Sequence, residues 1–144
     1  ADYFSTDDGT ATAQDYESGN YYAKYAIGNW KVGYNKGYHA PALTDKVTAV
    51  TMYENTAFGI EFAVNDSLSL SYNEERSEAT TNVAIAATAA SNTKTKVESE
   101  MEVIQVAYIF GGATLGVHLV DVGNADYTAN KEEKKTIFTI AMDF

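Results

Sequence analysis

The side chains able to do chemistry are few and scattered along the chain. Two histidines, His39 and His118, offer little general-base capacity, and the lack of cysteine excludes a thiolate nucleophile and a Cys-ligated metal. Serines are abundant, but none stands in a G-x-S-x-G nucleophile elbow, and the sequence has no phosphate-cradling loop. The sequence therefore gives no support for an enzyme.

Acidic residues outnumber basic ones, 20 to 10, and give a formal charge of −10. Such a balance argues against a general nucleic-acid binder, which needs a basic footprint. Clustered carboxylates could hold a hard cation, but none of these runs has an EF-hand pattern. We expect no cofactor and no metal site, and keep calcium at acidic external loops open as an alternative. The carboxylates concerned are Asp7 with Asp8, Asp121 with Asp126, and the series Glu98, Glu100 and Glu102.

Isolated charges stand among small polar residues at every second position of several segments. Lys24, Lys31 and Glu61 are the charged members of this set. Facing a water-filled lumen, such side chains would set ion preference; on an ordinary solvated sheet they would do nothing specific. The predicted pore-lining residues are Lys24, Lys31, Asn35, Glu61, Ser69, Ser71, Gln105, Thr114 and His118.

Their placement depends on strands, which a period of two predicts in seven segments. The segments are 20–27, 30–38, 51–64, 67–75, 102–110, 113–122 and 134–144. Two-residue turns, Gly28–Asn29, Asn65–Asp66 and Gly111–Gly112, alternate with long polar loops. The longest break runs from Arg76 to Glu100, and its Ala-rich middle is compatible with a short helix or an extended strip.

The other side of these strands is continuously apolar and includes Tyr25, Trp30, Phe62, Leu70, Val106 and Val117. No run approaches the about 18 apolar residues of a membrane helix. Transmembrane β-strands instead need about ten residues of alternating polarity, with short turns on one side and longer loops on the other. We predict an all-β fold, a transmembrane antiparallel up-and-down β-barrel with about seven strands visible.

The closing stretch "TIFTIAMDF" and the hairpin "YENTAFGIEFAVNDSLSLSY" resemble the C-terminal portion of Gram-negative trimeric general porins, of an alphaproteobacterial type. In that family the last strand ends in an aromatic residue, with apolar residues at alternate positions before it. This pattern is the signal read by the outer-membrane assembly machinery. The residues that match it are Phe138, Ile140, Met142 and Phe144.

The resemblance implies a single β-barrel domain over residues 1–144, part of a larger, approximately 16-stranded barrel. Residues 1–19 are then an extracellular loop and residues 20–144 the C-terminal strands, with the N-terminal strands lying outside this sequence. The rival is a complete eight-stranded barrel with a first strand near Tyr3 to Ala13.

The implied function is passive diffusion of ions and small hydrophilic solutes through the bacterial outer membrane, with a preference for cations. The implied partners are outer-membrane lipid, lipopolysaccharide, the assembly machinery and two further copies in a homotrimer. Divalent ions could bridge lipopolysaccharide at Glu74, Glu75 and Glu78. Two alternatives stay open: a secreted or surface β-sandwich that binds glycan or protein, and a small closed outer-membrane anchor or adhesion barrel.

Overall fold

The computed structural model describes residues 1–6, 14–43, 49–84 and 92–142. The chain forms one antiparallel sheet of eight strands in the order of the sequence. The strands are β1 (Asp2–Ser5), β2 (Glu17–Ile27), β3 (Trp30–Ala40), β4 (Ala49–Asn65), β5 (Leu68–Ala84), β6 (Asn92–Phe110), β7 (Ala113–Gly123) and β8 (Glu133–Met142). In the described ranges β1 and β8 are the outer strands and do not pair with each other, so the sheet is not closed.

The all-β antiparallel prediction is confirmed, but the strand count of seven is wrong. Residues 2–5, which we placed in a loop, pair with residues 17–20 and add a short first strand. The predicted break from Arg76 to Glu100 is also wrong, because β5 continues to Ala84 and β6 begins at Asn92. The described part of the Ala-rich stretch is therefore extended.

Tight turns lie at one end of the sheet. Gly28 and Gly111 have φ values of 54° and 58°, and Gly112 has 85°, as the predicted two-residue turns require. Between β4 and β5 the turn residues are Asp66 and Ser67, one position later than predicted. Asn65 fixes this turn because its Oδ1 accepts hydrogen bonds from the backbone N of Ser67 at 2.9 Å and of Leu68 at 3.0 Å.

Longer connections join the strands at the opposite end, called here the long-loop end. They link β1 to β2, β3 to β4, β5 to β6, and β7 to β8. The alternation of short and long connections predicted from the sequence is thus present. In the last connection a single 3-10 turn, Ala125–Tyr127, lies between β7 and β8.

The register divides the sheet into two unlike faces, because directly paired residues share a face. One continuous row of paired residues contains Trp30, Phe62, Leu70, Val106, Val117 and Phe138, and defines the apolar face. The neighbouring row contains Lys31, Glu61, Ser71, Gln105 and His118, and defines the polar face.

The sheet has almost no buried core. In the described part of the chain Ala79 and Ala125 are the only buried hydrophobic residues, each 4% exposed. Large apolar side chains on the apolar face stay open instead, with Phe138 at 76% and Ile140 at 67% exposure. No helix in the described ranges combines the length and apolar character needed to cross a membrane.

Candidate functional site

All nine residues predicted to line a pore lie on the polar face. Lys31, Glu61, Ser71, Gln105 and His118 form the defining row. The other four lie an even number of residues from a member of that row on the same strand, or pair across strands with a residue that does. They are Lys24, Asn35, Ser69 and Thr114. The alternation therefore placed every one of these side chains on a common surface.

Opposite charges meet directly on the polar face between β3 and β4. Lys31 Nζ donates a hydrogen bond to Glu61 Oε1 at 2.9 Å, and their side chains are 66% and 39% exposed. Lys24 stands two strands from Glu61, beside Gly33, with its Nζ 5.8 Å from the centroid of the Tyr22 ring. These charged groups are exposed to water, so their pairing contributes little to stability.

Glycines in the middle of the polar face have no side chains that project above the sheet. A Cβ added at Gly59 would lie 2.6 Å from Asn73 Oδ1, so the asparagine amide already occupies the space beside it. The shared surface around Gly33, Gly59 and Asn73 forms a groove whose wall includes Lys24 and Glu61. Because Gly33 and Gly59 have no side chains, the groove stays open above this part of the sheet.

His118 has a local partner on the polar face. Its Nε2 lies 3.3 Å from Thr139 Oγ1 of β8. The described ranges contain no group of three or more His, Cys, Asp or Glu side chains placed to hold a metal ion. Of the candidate calcium carboxylates, Asp7 and Asp8 lie outside the described residues.

Four of the remaining candidate carboxylates, Asp121, Asp126, Glu100 and Glu102, have cationic or hydroxyl partners. Asp121 accepts from Lys134 at 2.6 Å, and Asp126 pairs with Lys131. Glu100 lies 2.9 Å from the Arg76 guanidinium. Asp121 and Asp126, the predicted calcium pair, therefore each bind a different lysine. Asp121 pairs in register with Glu102, so it lies on the same side of the sheet as the apolar face.

A charged band borders the apolar face toward the long-loop end. Paired positions there are Glu74, Glu102, Asp121 and Lys134, directly beyond the last apolar row. Tyr72 marks the boundary: its hydroxyl donates to Glu102 Oε1 at 2.6 Å and also lies 3.1 Å from Glu74 Oε2. The apolar surface thus ends in a row of ionised groups with hydrogen-bonded partners.

The proposed lipopolysaccharide carboxylates do not form one group. Glu74 and Glu78 lie on the side of the charged band, where Glu78 pairs with Lys96. Glu75 pairs in register with Ala57 and Met101, so it lies on the polar face. Glu74 and Glu78 therefore share one side of the sheet and Glu75 lies on the other, and divalent bridging of lipopolysaccharide stays a prediction.

Sequence reasoning missed a segment that folds over the polar face. We treated residues 123–134 only as a polar break, but Tyr127 crosses to β5 and places its hydroxyl 2.6 Å from Ser77 Oγ. Asn124 Nδ2 donates to the backbone O of Glu98 at 2.8 Å, and Ala125 is buried. Residues 124–131 are called here the inner segment.

The backbone of the inner segment is unusual. Four non-glycine residues adopt a left-handed conformation, Asn124, Asp126, Tyr127 and Asn130, with φ between 49° and 63°. Asn and Asp tolerate this region, and their density between Gly123 and Lys131 was the available sequence signal. A bulky Tyr127 at φ 55° is strained, so the surrounding contacts must hold it in place.

An ion pair closes the inner segment. The hydrogen bond from Lys131 holds the pKa of Asp126 below its usual 3.8, and the same bond raises the pKa of Lys131 above 10.5. Ala125 N donates to Lys131 O at 2.8 Å, and Asn130 N donates to Asn124 Oδ1 at 2.9 Å. The segment is therefore a small closed loop tied to β6 and β5.

The predicted assembly signal lies on the final strand. Phe138, Ile140 and Met142 all lie on the apolar face of β8 and are strongly exposed, whereas Phe144 lies outside the described residues. Comparison with known proteins finds no matching family model, no matching curated protein and no matching solved structure.

Proposed function

We propose that the chain forms part of the wall of an outer-membrane porin, a passive channel for ions and small hydrophilic solutes. The observation that carries the proposal is a one-layer sheet with opposite faces of opposite character. Trp30, Phe62 and Val106 belong to one unbroken apolar row, while Lys31, Glu61 and Gln105 form the row beside it.

The apolar face needs a cover that the described sheet does not supply. A soluble domain of this size buries most of its apolar surface, and a large exposed patch marks an interaction surface. On β6 the apolar positions run from Ile104 to Phe110, about 20 Å along the strand. Outward-facing bands of outer-membrane barrels are about 25 Å tall, so lipid is a cover of matching height.

The borders of the apolar face agree with a membrane setting. Tyr72 stands at its edge toward the long-loop end, one row before the ionised band, and Tyr34 lies in the same register row as that band. Aromatic rings with a polar tip favour the boundary between hydrocarbon and water. Tight turns at the opposite end and longer connections at this end fit the asymmetry of such barrels.

The polar face supplies what a water-filled lumen requires. It carries small residues such as Gly59, separate hydrogen-bonding side chains such as Ser71 and Gln105, and charges of both signs at Lys31 and Glu61. Closure of the sheet into a barrel, trimer formation and cation preference belong to the proposal. The preference rests on the net charge of −10.

Two other functions were considered from the sequence. A β-sandwich binder needs two stacked sheets, whereas all eight strands pair in one. A closed eight-stranded anchor needs β1 and β8 as neighbours, and β1 pairs along only four positions, with β2. The sandwich also gives no reason for the ionised row that ends the apolar face.

Single-channel recording in a planar lipid bilayer tests the proposal. With the purified protein and a salt gradient across the membrane, we expect stepwise conductance and a reversal potential that favours cations. Stable insertion without conductance would favour the closed anchor, and failure to insert would favour a soluble binder. The matched control is the Val106→Arg variant, which should insert poorly, beside Gln105→Arg, which should insert normally.

A further inference from the structure

Five aromatic rings form a continuous run across the polar face near the long-loop end. Phe4 and Tyr16 have ring centroids 5.5 Å apart, and Tyr16 and His39 are 5.1 Å apart. The run continues from His39 to Tyr53 at 6.2 Å and from Tyr53 to Tyr127 at 5.6 Å. These five residues are called here the aromatic run.

The run connects four separate parts of the sheet with the inner segment. Phe4 lies in β1, His39 in β3 and Tyr53 in β4, while Tyr127 arrives from the connection between β7 and β8. By the usual spacing of strands, β1 to β4 alone cover about 14 Å. The surface is therefore long enough for a chain of several rings rather than one small molecule.

The rings do not form a closed core. Phe4 is 57% exposed, and the other four members keep intermediate exposure. Their planes also differ, at 66° between Phe4 and Tyr16 and 69° between Tyr16 and His39. The run thus presents ring faces and edges in turn to the space above the polar face.

A row of uncharged hydrogen-bonding groups lies directly beside the run. In register these are Asn20, Gly37, Asn55, Ser77 and Ser99, one row further from the long-loop end. Asp2 stands at the β1 end of the row, paired with Asn20. Ser77 Oγ already contacts Asn55 Oδ1 and the Tyr127 hydroxyl, and Ser99 Oγ donates to Gly123 O. The Asn20 amide, the Asn55 Nδ2 group and the Asp2 carboxylate can pair with hydroxyls on one side of a ligand while aromatic rings contact its other side.

We propose that the aromatic run and its neighbouring polar row bind a linear, uncharged oligosaccharide. Sugar rings carry C–H groups on their faces and hydroxyls around their rims, so they match an aromatic surface bordered by the amides of Asn20 and Asn55. A cation would prefer ring faces accompanied by several carboxylates, and here the row is neutral from Asn20 to Ser99. The inference goes beyond the proposed function and does not depend on conduction.

The two histidines provide a direct test. His39 belongs to the aromatic run, whereas His118 lies in the middle of the polar face beside Thr139. The purified protein in detergent micelles would be titrated with maltohexaose while the ring resonances of both histidines are followed by NMR. We expect a saturable shift of the His39 resonances and no shift at His118.

Variants separate ring stacking from a change of fold. Tyr53→Ala should weaken the apparent affinity at least about fivefold, as loss of one stacked ring does on other aromatic platforms. Tyr53→Phe should keep most of the affinity because it keeps the ring. Tyr25→Ala is the matched control, since Tyr25 is an exposed tyrosine on the apolar face.

Several outcomes would overturn the inference. These are an unmoved His39 up to the solubility limit of the sugar, equal shifts at both histidines, or full affinity in Tyr53→Ala. A shift of His39 with choline but not with maltohexaose would identify a cation site instead. If the protein conducts ions and His39 does not respond, the sugar site fails while the proposed channel stands.

Discussion

Lys31 and Glu61 form a hydrogen-bonded ion pair across β3 and β4, with Nζ 2.9 Å from Oε1. Both side chains are largely open to water on the polar face, at 66% and 39% exposure. Because the pair is exposed, its contribution to stability is small, and a change to either member mainly changes the local charge.

Removing one member of this pair should change ion preference in opposite directions. Glu61→Gln leaves the charge of Lys31 uncompensated and should favour anions, whereas Lys31→Gln should favour cations. A unit charge about 6 Å from a passing ion in water changes its energy by about 0.7 kcal/mol, or about threefold in permeability ratio. Reversal potentials across a salt gradient measure this ratio.

The double variant Lys31→Gln with Glu61→Gln is the matched control and should return close to the original selectivity. Raising the salt concentration should reduce both single-variant effects because exposed charges are screened. If both single variants shifted the reversal potential in the same direction, the pair would not face the ion path.

Neighbouring residues on β6 test the assignment of the faces. Val106 lies on the apolar face and Gln105 on the polar face. If lipid covers the apolar face, Val106→Arg should cost about 2 to 4 kcal/mol near the midplane, while Gln105→Arg should cost much less. Denaturant titration of folding into lipid vesicles gives both free energies. Equal costs for the two arginines would contradict the membrane orientation.

The alternation of apolar and polar residues predicted the middle of the sheet well, because successive side chains of a strand point to opposite faces. In β6, Ile104 and Val106 differ in kind from Gln105, and a shift of one residue would exchange them between faces. The same contrast predicted that Lys31 and Glu61 share the polar face, and the register pairs them directly.

Alternation could not locate the ends of the long strands. Beyond Tyr72 both faces carry polar side chains, such as Glu74 on one face and Glu75 on the other, so the apolar signal stops while pairing continues. β1 has only four residues, Asp2–Ser5, too few for a period to register. The aromatic run was also hidden, because Tyr16, His39 and Tyr127 are distant in sequence and meet only through register.

Asn124 should control the stability of the inner segment. Its amide donates to Glu98 O and its Oδ1 accepts from Asn130 N, at 2.8 and 2.9 Å. At about 1 kcal/mol for each hydrogen bond, the loss of both should speed amide exchange at Ala125 about thirtyfold, and the backbone strain in Asn124→Ala should speed it further. Native-state hydrogen exchange measures the change at this amide.

Asn124 also has a φ of 49°, which alanine adopts poorly. Asn124→Gly therefore separates the two contributions: it loses both hydrogen bonds but accepts the backbone conformation, and should fall between wild type and alanine. Identical exchange at Ala125 in all three proteins would show that the side chain of Asn124 does not hold the segment.

The ion pair of Asp126 and Lys131 should make the inner segment sensitive to acid. Since the pKa of Asp126 is lowered from 3.8, its stabilisation is present above that value and is lost as the pH falls through the folded-state pKa. The pKa of Lys131 is raised from 10.5, so its contribution is present below 10.5 and is lost as the pH rises through the folded-state pKa. The segment should be most stable between these limits.

Exchange at the Ala125 amide, corrected for the intrinsic effect of pH, gives the dependence of this stability on pH. Asp126→Asn should remove most of the acid response and leave the part due to Glu133, whose pKa is lowered by Lys135 and Lys131. An unchanged acid response in Asp126→Asn would exclude this ion pair as the cause.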